Sequence, residues 1–474
     1  MGINDLIGEI HKYRKVLIYG AGGVAEDSLV LLKPYLKDVE LGVAVTKPEG
    51  EAVLCGVRVT GLYEHIDKAS STFVIIAAMP RLVSSMRALL VEYDFTNYTD
   101  VYEIFDKIYA DIWMNKIEEN KILFSNFKGK GFGDSGKYIA QRLLTESKGE
   151  YDIVWAVSED RYDFPEGIRT VVYGTYDYYR ELGTARVWID NRHKSRLTYK
   201  REGQYYIQTW HGGGPLKKIE HDGNGISQSY LDLCDYDSGI IDLMISPTKF
   251  NSGLYRTAFN YGGEILECGY PRNDLFFSDR DKTRSIVEDR LGIAADDVIV
   301  LYAPTFRDNS FGDLEELDLG EIRSYIEKRY GRNATVMVRL HPDVADQSIT
   351  GDVINATSYE DTQELLAAAD ILITDYSSIM WDFSLQKKPV FLYQPDNDGY
   401  DEERGYYLPF EEMPYFVAKS TQEMCRLIET FDQADYAASV ERFLKEYGSF
   451  DRGNAAETIR RRIETVCKTG ENSR

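Results

Sequence analysis

Residues 205–222, YYIQTWHGGGPLKKIEHD, put an imidazole, three successive glycines and two lysines directly after a short apolar run. His211 titrates near neutral pH, which suits a general base if rigid neighbours hold it at the mouth of a cleft. Trp210 and Pro215 flank it and are placed to do so. Gly212, Gly213 and Gly214 lack a Cβ, which frees the backbone for positive φ and for close approach to a ligand. Lys217 and Lys218 add positive charge. The plain alternative is a glycine-rich surface turn with an incidental histidine. Against it stand four further motifs in order: Tyr270-Pro271-Arg272-Asn273-Asp274, Tyr302-Ala303-Pro304-Thr305, Arg339-Leu340-His341-Pro342 and Thr374-Asp375-Tyr376-Ser377-Ser378.

The elements that must position these residues are short apolar strands alternating with helices. Strands are expected over 205–208, 265–266, 298–303, 335–340 and 371–373, so that His211, Arg272, Arg307, His341 and Ser377 each fall at or just beyond a strand's carboxyl end. Alternation of this kind implies parallel sheets, whose ligands lie beyond those ends. Ser377 or Ser378 opens a helix and serves either as a plain cap, worth ~1 kcal/mol, or as part of an anion site. Arg339 and His341 share one face of an extended segment, and Pro342 stops the strand with His341 at its tip. Arg307 reads as a phosphate contact or a solvated charge. Asp396-Asn397-Asp398 reads as a turn, so no obligatory metal is expected.

The 474 residues exceed one core, and about three domains are expected from the length. A formal charge of −23 argues against wholesale nucleic-acid binding. Five scattered cysteines without a CxxC pair fit a reducing compartment. The opening MGINDLIGEIHKYRK does not resemble a secretory signal, and no apolar run approaches the ~18 residues of a membrane span. Membrane contact is therefore expected to be peripheral, and basic runs at 128–137 and 192–201 could face an anionic surface or simply be solvated.

Residues 15–32, KVLIYGAGGVAEDSLVLL, form a strand, a glycine turn and a helix, with Gly20, Gly22 and Ala25 in a G-x-G-x-x-A pattern beside Gly23. The next strand ends at Thr46-Lys47, where a dinucleotide site would place an acidic residue, which argues against NAD. Residues 1–110 thus read as a Rossmann-like module, with or without a ligand. A connector over 105–120 precedes a second α/β series to about 275, and a third runs from 276 to 474, its end mostly helical.

In these motifs, and in Arg404-Gly405-Tyr406, the chain over about 120–450 resembles the CDP-glycerol glycerophosphotransferase family of teichoic-acid and capsule polymer enzymes. The resemblance implies a GT-B pair of Rossmann-like domains, 111–275 for the acceptor and 276–474 for the donor, behind the added module of 1–110. It implies transfer of glycerol phosphate from CDP-glycerol, a substrate rather than a cofactor, to a lipid-linked polymer, with release of CMP at the inner face of the cell membrane. His211 and His341 map onto the family's two histidines. Arg272, Thr305, Arg307, Arg339, Asp375, Ser377, Ser378 and Arg404 fall on the donor side, and Gly212, Gly213, Gly214 and Lys217 on the acceptor side. Where the family commonly reads His-Gly-Thr-Pro, this chain has one more residue and no hydroxyl. CDP-ribitol transfer, sugar transfer on the same fold, and a non-catalytic nucleotide-sensing subunit remain as alternatives.

Overall fold

The computed structural model describes residues 3–469 apart from 49, 148, 159–162, 215, 279, 306–316, 341–351 and 396–404. Three sheets carry the chain. The first runs Val53–Leu54, Val57–Gly61, Glu40–Val45, Lys15–Tyr19, Thr72–Ile76, Tyr98–Asp100, parallel except for the first short pair. The second orders seven parallel strands as Glu264–Glu267, Leu243–Ser246, Tyr205–Gln208, Ala185–Asp190, Glu118–Ser125, Asp152–Val157, Ile168–Val172. The third has Ile354–Asn355, Ala334–Val338, Val298–Tyr302, Ile371–Thr374, Val390–Tyr393 and Phe416–Ala418, again parallel. Central strands such as Val298–Tyr302 and Tyr205–Gln208 are buried at every position, which is why they read as continuous apolar runs rather than alternating ones.

The protein is therefore α/β with several parallel sheets, as the alternation predicts. Some short or edge strands, Val53–Leu54, Ile168–Val172 and Phe416–Ala418 among them, carry little periodicity and are found only in the structure. The expected connector over 105–120 divides into a helix, Val101–Ile112, and the start of the strand Glu118–Ser125. The last helix also departs from expectation. Chain order puts Ala455–Thr469 in the third series, yet Ala455, Ile459, Ile463 and Val466 insert into the core of the second sheet beside Ile122, Ile189 and Tyr205. Its apolar face needs a core, and periodicity alone does not say which.

The two basic runs divide: several of their charges are paired within the protein, while Lys130 and Arg192 stay exposed. Lys137 is buried against Asp361 and Glu364 at 2.6 and 2.7 Å, and Lys194 against Asp190 at 2.7 Å. Lys200 pairs with Asp242, and Arg201 donates to the carbonyls of Trp113 and Asn115. A buried ammonium must be paired, so Lys137 and Lys194 act inside the protein. No described helix is long and apolar enough to cross a membrane.

Ile463 is fully buried where the last helix meets the second sheet. Ile463→Ala should lower the unfolding free energy by about 2–5 kcal/mol in urea. A loss below ~0.5 kcal/mol would mean that the helix does not dock there.

Candidate active site

Strand Tyr205–Gln208 delivers the chain to Trp210, which sits at φ +54, a costly conformation for a bulky side chain. Gln208 Oε1 accepts from Trp210 N at 2.9 Å, and the indole packs edge-on against Phe259, 4.7 Å between centroids. This holds the backbone that presents His211. The imidazole lies 4.2 Å from the Trp210 ring and 5.2 Å from Phe127, both centroid to centroid. Nδ1 is 2.6 Å from the carbonyl oxygen of Asn191, so Nδ1 carries the proton and Nε2 keeps its lone pair. Nε2 makes no hydrogen bond among the described residues.

Burial drives the His211 pKa down from 6.5 to about 4, against the upward pull of the Asn191 carbonyl and Asp134, with Arg192 and Arg272 pushing it lower. At neutral pH the ring is an uncharged acceptor. Because the unfolded chain binds this proton more tightly, the residue's share of stability is present above pH 6.5 and is lost as pH falls toward 4.

Asn191 links His211 to the rest of the site. Its Nδ2 donates to Asn126 Oδ1 at 2.6 Å and to Asp134 Oδ2 at 2.9 Å, while its Oδ1 accepts from Phe127 N at 2.9 Å. Asp134 in turn receives Arg272 Nη1 at 3.0 Å, and Arg272 Nε reaches Asp382 at 2.9 Å. Asp382 stands in the helix Ile379–Ser384, directly after Ser377-Ser378. Gln363 and Asn273 also donate to Asp382, at 3.1 and 3.3 Å. Burial opposes the Arg272 charge, and Asp382 and Asp134 more than offset it, so the guanidinium is held firmly protonated. Arg272 is 4% exposed and braces two sheets; its place is structural, between the lobes, rather than open toward a donor.

The glycines close the gap. None of Gly212, Gly213 and Gly214 adopts positive φ, so the conformational freedom expected of them is not used. They are needed for space: a Cβ on Gly213 would lie 2.6 Å from the Ser378 carbonyl oxygen, and one on Gly214 1.8 Å from the Trp381 ring. The loop of the second sheet thus rests on the serine turn of the third. Just beyond, Lys217 bridges to Tyr406, Lys218 N donates to Gly405 O, and Tyr407 N to Leu216 O.

Asp375 turns away from solvent, taking Thr305 N at 3.0 Å and Thr305 Oγ1 at 2.7 Å, so the two adjacent strand ends lock together. The serine helix is six residues long and its cap residue, Ser378, makes no side-chain cap bond. Ser377 Oγ accepts weakly from Ile379 N at 3.5 Å. A macrodipole that short contributes little, and the two hydroxyls are the donors this turn offers. Arg339 Nη1 donates to the carbonyls of Ala356 and Tyr359 at 3.2 and 2.6 Å. His341, Arg307, Arg404, Pro215, Asp396-Asn397-Asp398 and most of the expected loop at 308–318 lie outside the described residues. Gly20, Gly22 and Gly23 form their turn at the first sheet, at the start of helix Gly23–Leu32.

Sequence reasoning missed Asn191, Asp134 and Asp382. Asn191 follows strand Ala185–Asp190, so the strand-end rule applied to His211 would have found it. Among the described residues, His193, Glu220 and Cys234 bring their ligand atoms within 4.8 Å of one another. His193 Nδ1 is 2.9 Å from Asp237 and Nε2 3.4 Å from Glu220. Burial would lower its pKa, but Asp237, Cys234 and Glu220 raise it well above the usual value. An imidazolium between two carboxylates accounts for the cluster with side chains alone.

Two lobes facing across a serine turn and a histidine loop match a family described as CDP-Glycerol:Poly(glycerophosphate) glycerophosphotransferase over residues 108–465, and the chain belongs to that family. It is 29% identical over 395 residues to the teichoic acid poly(glycerol phosphate) polymerase of Bacillus subtilis, covering 77% of this chain and 52% of that protein. The chain thus spans about half the length of that relative. It is 29% identical over 374 residues to the teichoic acid glycerol-phosphate transferase of Staphylococcus aureus, covering 74% and 93%. Among solved structures, the wall teichoic acid polymerase TagF superposes with a TM-score of 0.69 at 27% identity, over 81% of this chain and 98% of that one. TagF has also been solved after soaking with CDPG.

Replacing Arg272 with methionine leaves Asp134 and Asp382 without their shared cation. Arg272→Met should cost about 3–5 kcal/mol in denaturant unfolding. A change under ~1 kcal/mol would show that the bridge does not form.

Proposed function

We propose that the protein transfers glycerol phosphate from CDP-glycerol to a hydroxyl of a lipid-linked teichoic-acid-like or capsular polymer. The observation that carries this reading is the neutral His211, Nε2 unprotonated, on a glycine loop lying against the Ser377-Ser378 turn. The acceptor oxygen attacks the β-phosphorus and its proton passes to Nε2. The bond from that phosphorus to the bridging oxygen breaks, and CMP leaves. Ser377 and Ser378 offer hydroxyl donors at the turn that the loop rests on, and Lys217 lies on the acceptor side. Thr305 and Asp375 shape the floor by holding each other, and Arg272 positions both lobes.

A pKa near 4 makes a weak base in the empty site. The negative charge of a bound diphosphate raises it toward neutrality, where proton transfer is most effective. Donor binding thus readies the base. In this reading the second and third sheets are the GT-B pair, 111–275 and 276–474, with 1–110 added in front. His341, Arg307 and Arg404 are assigned to the donor by family resemblance. No metal is assigned to the step. Attachment to the inner membrane face rests on the acceptor's lipid.

Incubation with CDP-glycerol, CDP-ribitol and UDP-sugars plus a lipid-linked acceptor, followed by identification of the released nucleotide, tests the reading. CMP from CDP-glycerol with a matching gain in polymer mass is expected, and UDP release alone would overturn it. His211→Ala should remain folded and lose about 10²–10⁴ in rate. The acid limb of kcat/KM reports the free enzyme, so it should stay flat through pH 6.5 and fall only as pH approaches about 4. A limb centred at 6.5 would remove burial of His211 from the account.

A further inference from the structure

At the carboxyl edge of the first sheet lies a cavity of about 570 Å³, whose lining does not include Ser377 or Ser378. Chain order explains its place. From Lys15–Tyr19 the sheet is built outward to Glu40–Val45 on one side, then to Thr72–Ile76 on the other. The loops leaving Lys15–Tyr19 and Thr72–Ile76 therefore diverge, and open parallel sheets take ligands at such a switch point. The residues following these strands, Gly20–Gly23, Thr46 and Ala77–Met79, all line the cavity. The second unit closes it from the other side.

Gly20 has a structural reason: its φ is +140, and a Cβ there would lie 2.0 Å from the Ala77 carbonyl oxygen. Gly22 and Gly23 have none of this kind. Neither has positive φ, and a Cβ on either would meet nothing within 4 Å. Gly22 caps helix Gly23–Leu32 without a side-chain oxygen, so the first turn has no side-chain acceptor from its cap. Across the cavity stand Lys128, Arg192 and Arg196. The exposed Arg192 side chain has no ion pair or hydrogen bond among the described residues, and Lys128 is only loosely paired, 3.6 Å from Glu26 and 3.8 Å from Asp27. His193, 8% exposed, is part of the wall, with its Nε2 turned to Glu220 at 3.4 Å. Asp27 is occupied by Ser195 Oγ at 2.5 Å. Ser227, Ser229 and Tyr230 add hydroxyls, and the apolar part of the lining is chiefly Val45, Met79, Leu82, Met86 and Leu233.

We infer that this cavity binds a nucleotide. Its phosphates lie at the bare helix start facing Lys128 and Arg192, and its base and ribose lie on the methionine and leucine side. The volume falls in the range of small-molecule sites, roughly 300–1,000 Å³. Inorganic phosphate would leave the apolar part empty. Thr46, bonded to Tyr19 at 2.6 Å, stands where NAD would need a carboxylate for its ribose, so the ligand is a nucleoside mono- or diphosphate. The site shares a wall with His211. Asn191 holds the imidazole while its neighbour Arg192 lines the cavity, and Phe127 packs on the imidazole while Lys128 lines the cavity.

Equilibrium dialysis of the full chain with CDP, UDP, ADP and GDP tests this without relying on transferase activity. A Ser378→Trp variant puts a bulky side chain at the serine turn beside the histidine loop. Saturable binding of at least one nucleotide should persist in Ser378→Trp and weaken at least about tenfold in Gly23→Glu, where a carboxylate meets the phosphates. Glutamate in the first turn favours the helix dipole, so that variant should fold. Lys128→Ala, on the opposite wall, should weaken the same event. Binding lost in Ser378→Trp, binding indifferent to both Gly23→Glu and Lys128→Ala, or displacement by equimolar inorganic phosphate would each overturn the inference.

Discussion

Arg272 holds a guanidinium inside the protein between Asp134 of one lobe and Asp382 of another, at 3.0 and 2.9 Å. Such a cation is tolerated in a dry interior only when both partners keep their geometry. The constraint reaches both sides of the site. Asp134 steadies Asn191, whose carbonyl fixes the His211 tautomer, and Asp382 sits one turn past the serines. Asn273 ties the bridge to Asp451, whose carboxyl burial pushes up to about 7 despite bonds from Tyr270 N and Asn273. Lys137 with Asp361 repeats the device at a second buried pair.

Against this frame the histidine loop carries the strain. Trp210, Phe127, Lys128 and Asp134 all have positive φ, and all surround His211 or its partners. Conformations of that cost persist where packing over-determines them, and they cluster at functional sites. The glycines do the opposite work, removing atoms so that two lobes meet. A neutral imidazole, a serine turn and a rigid cationic brace together favour chemistry on a charged phosphate, which agrees with the family to which the chain belongs.

Much of this was legible because parallel strands deliver side chains to one edge. His211, Thr305, Ser377 and the first glycine turn follow strand ends in the structure as the sequence implied. Partner choice was not legible. Arg272 finds its carboxylates 138 and 110 residues away, and nothing local marks which of many aspartates they are. Lys137 and Lys194 look like solvated charges until tertiary packing buries them. Glycine at 213 and 214 implies positive φ or close approach, and packing uses only the second, against the other lobe and not a ligand, because one residue type answers both demands. The helix Ala455–Thr469 advertises an apolar face without naming its core.

Hydrogen exchange at the amides of Gly212, Gly213, Gly214 and Leu216 and of 377–379, with and without CDP-glycerol, bears most directly on the claim that the bridge makes one site of two lobes. The account predicts that donor slows exchange in both segments of the wild type, and that Arg272→Met uncouples them, leaving protection at the serine turn alone. Protection of the serine turn alone in the wild type, or equal protection of both segments in Arg272→Met, would contradict it.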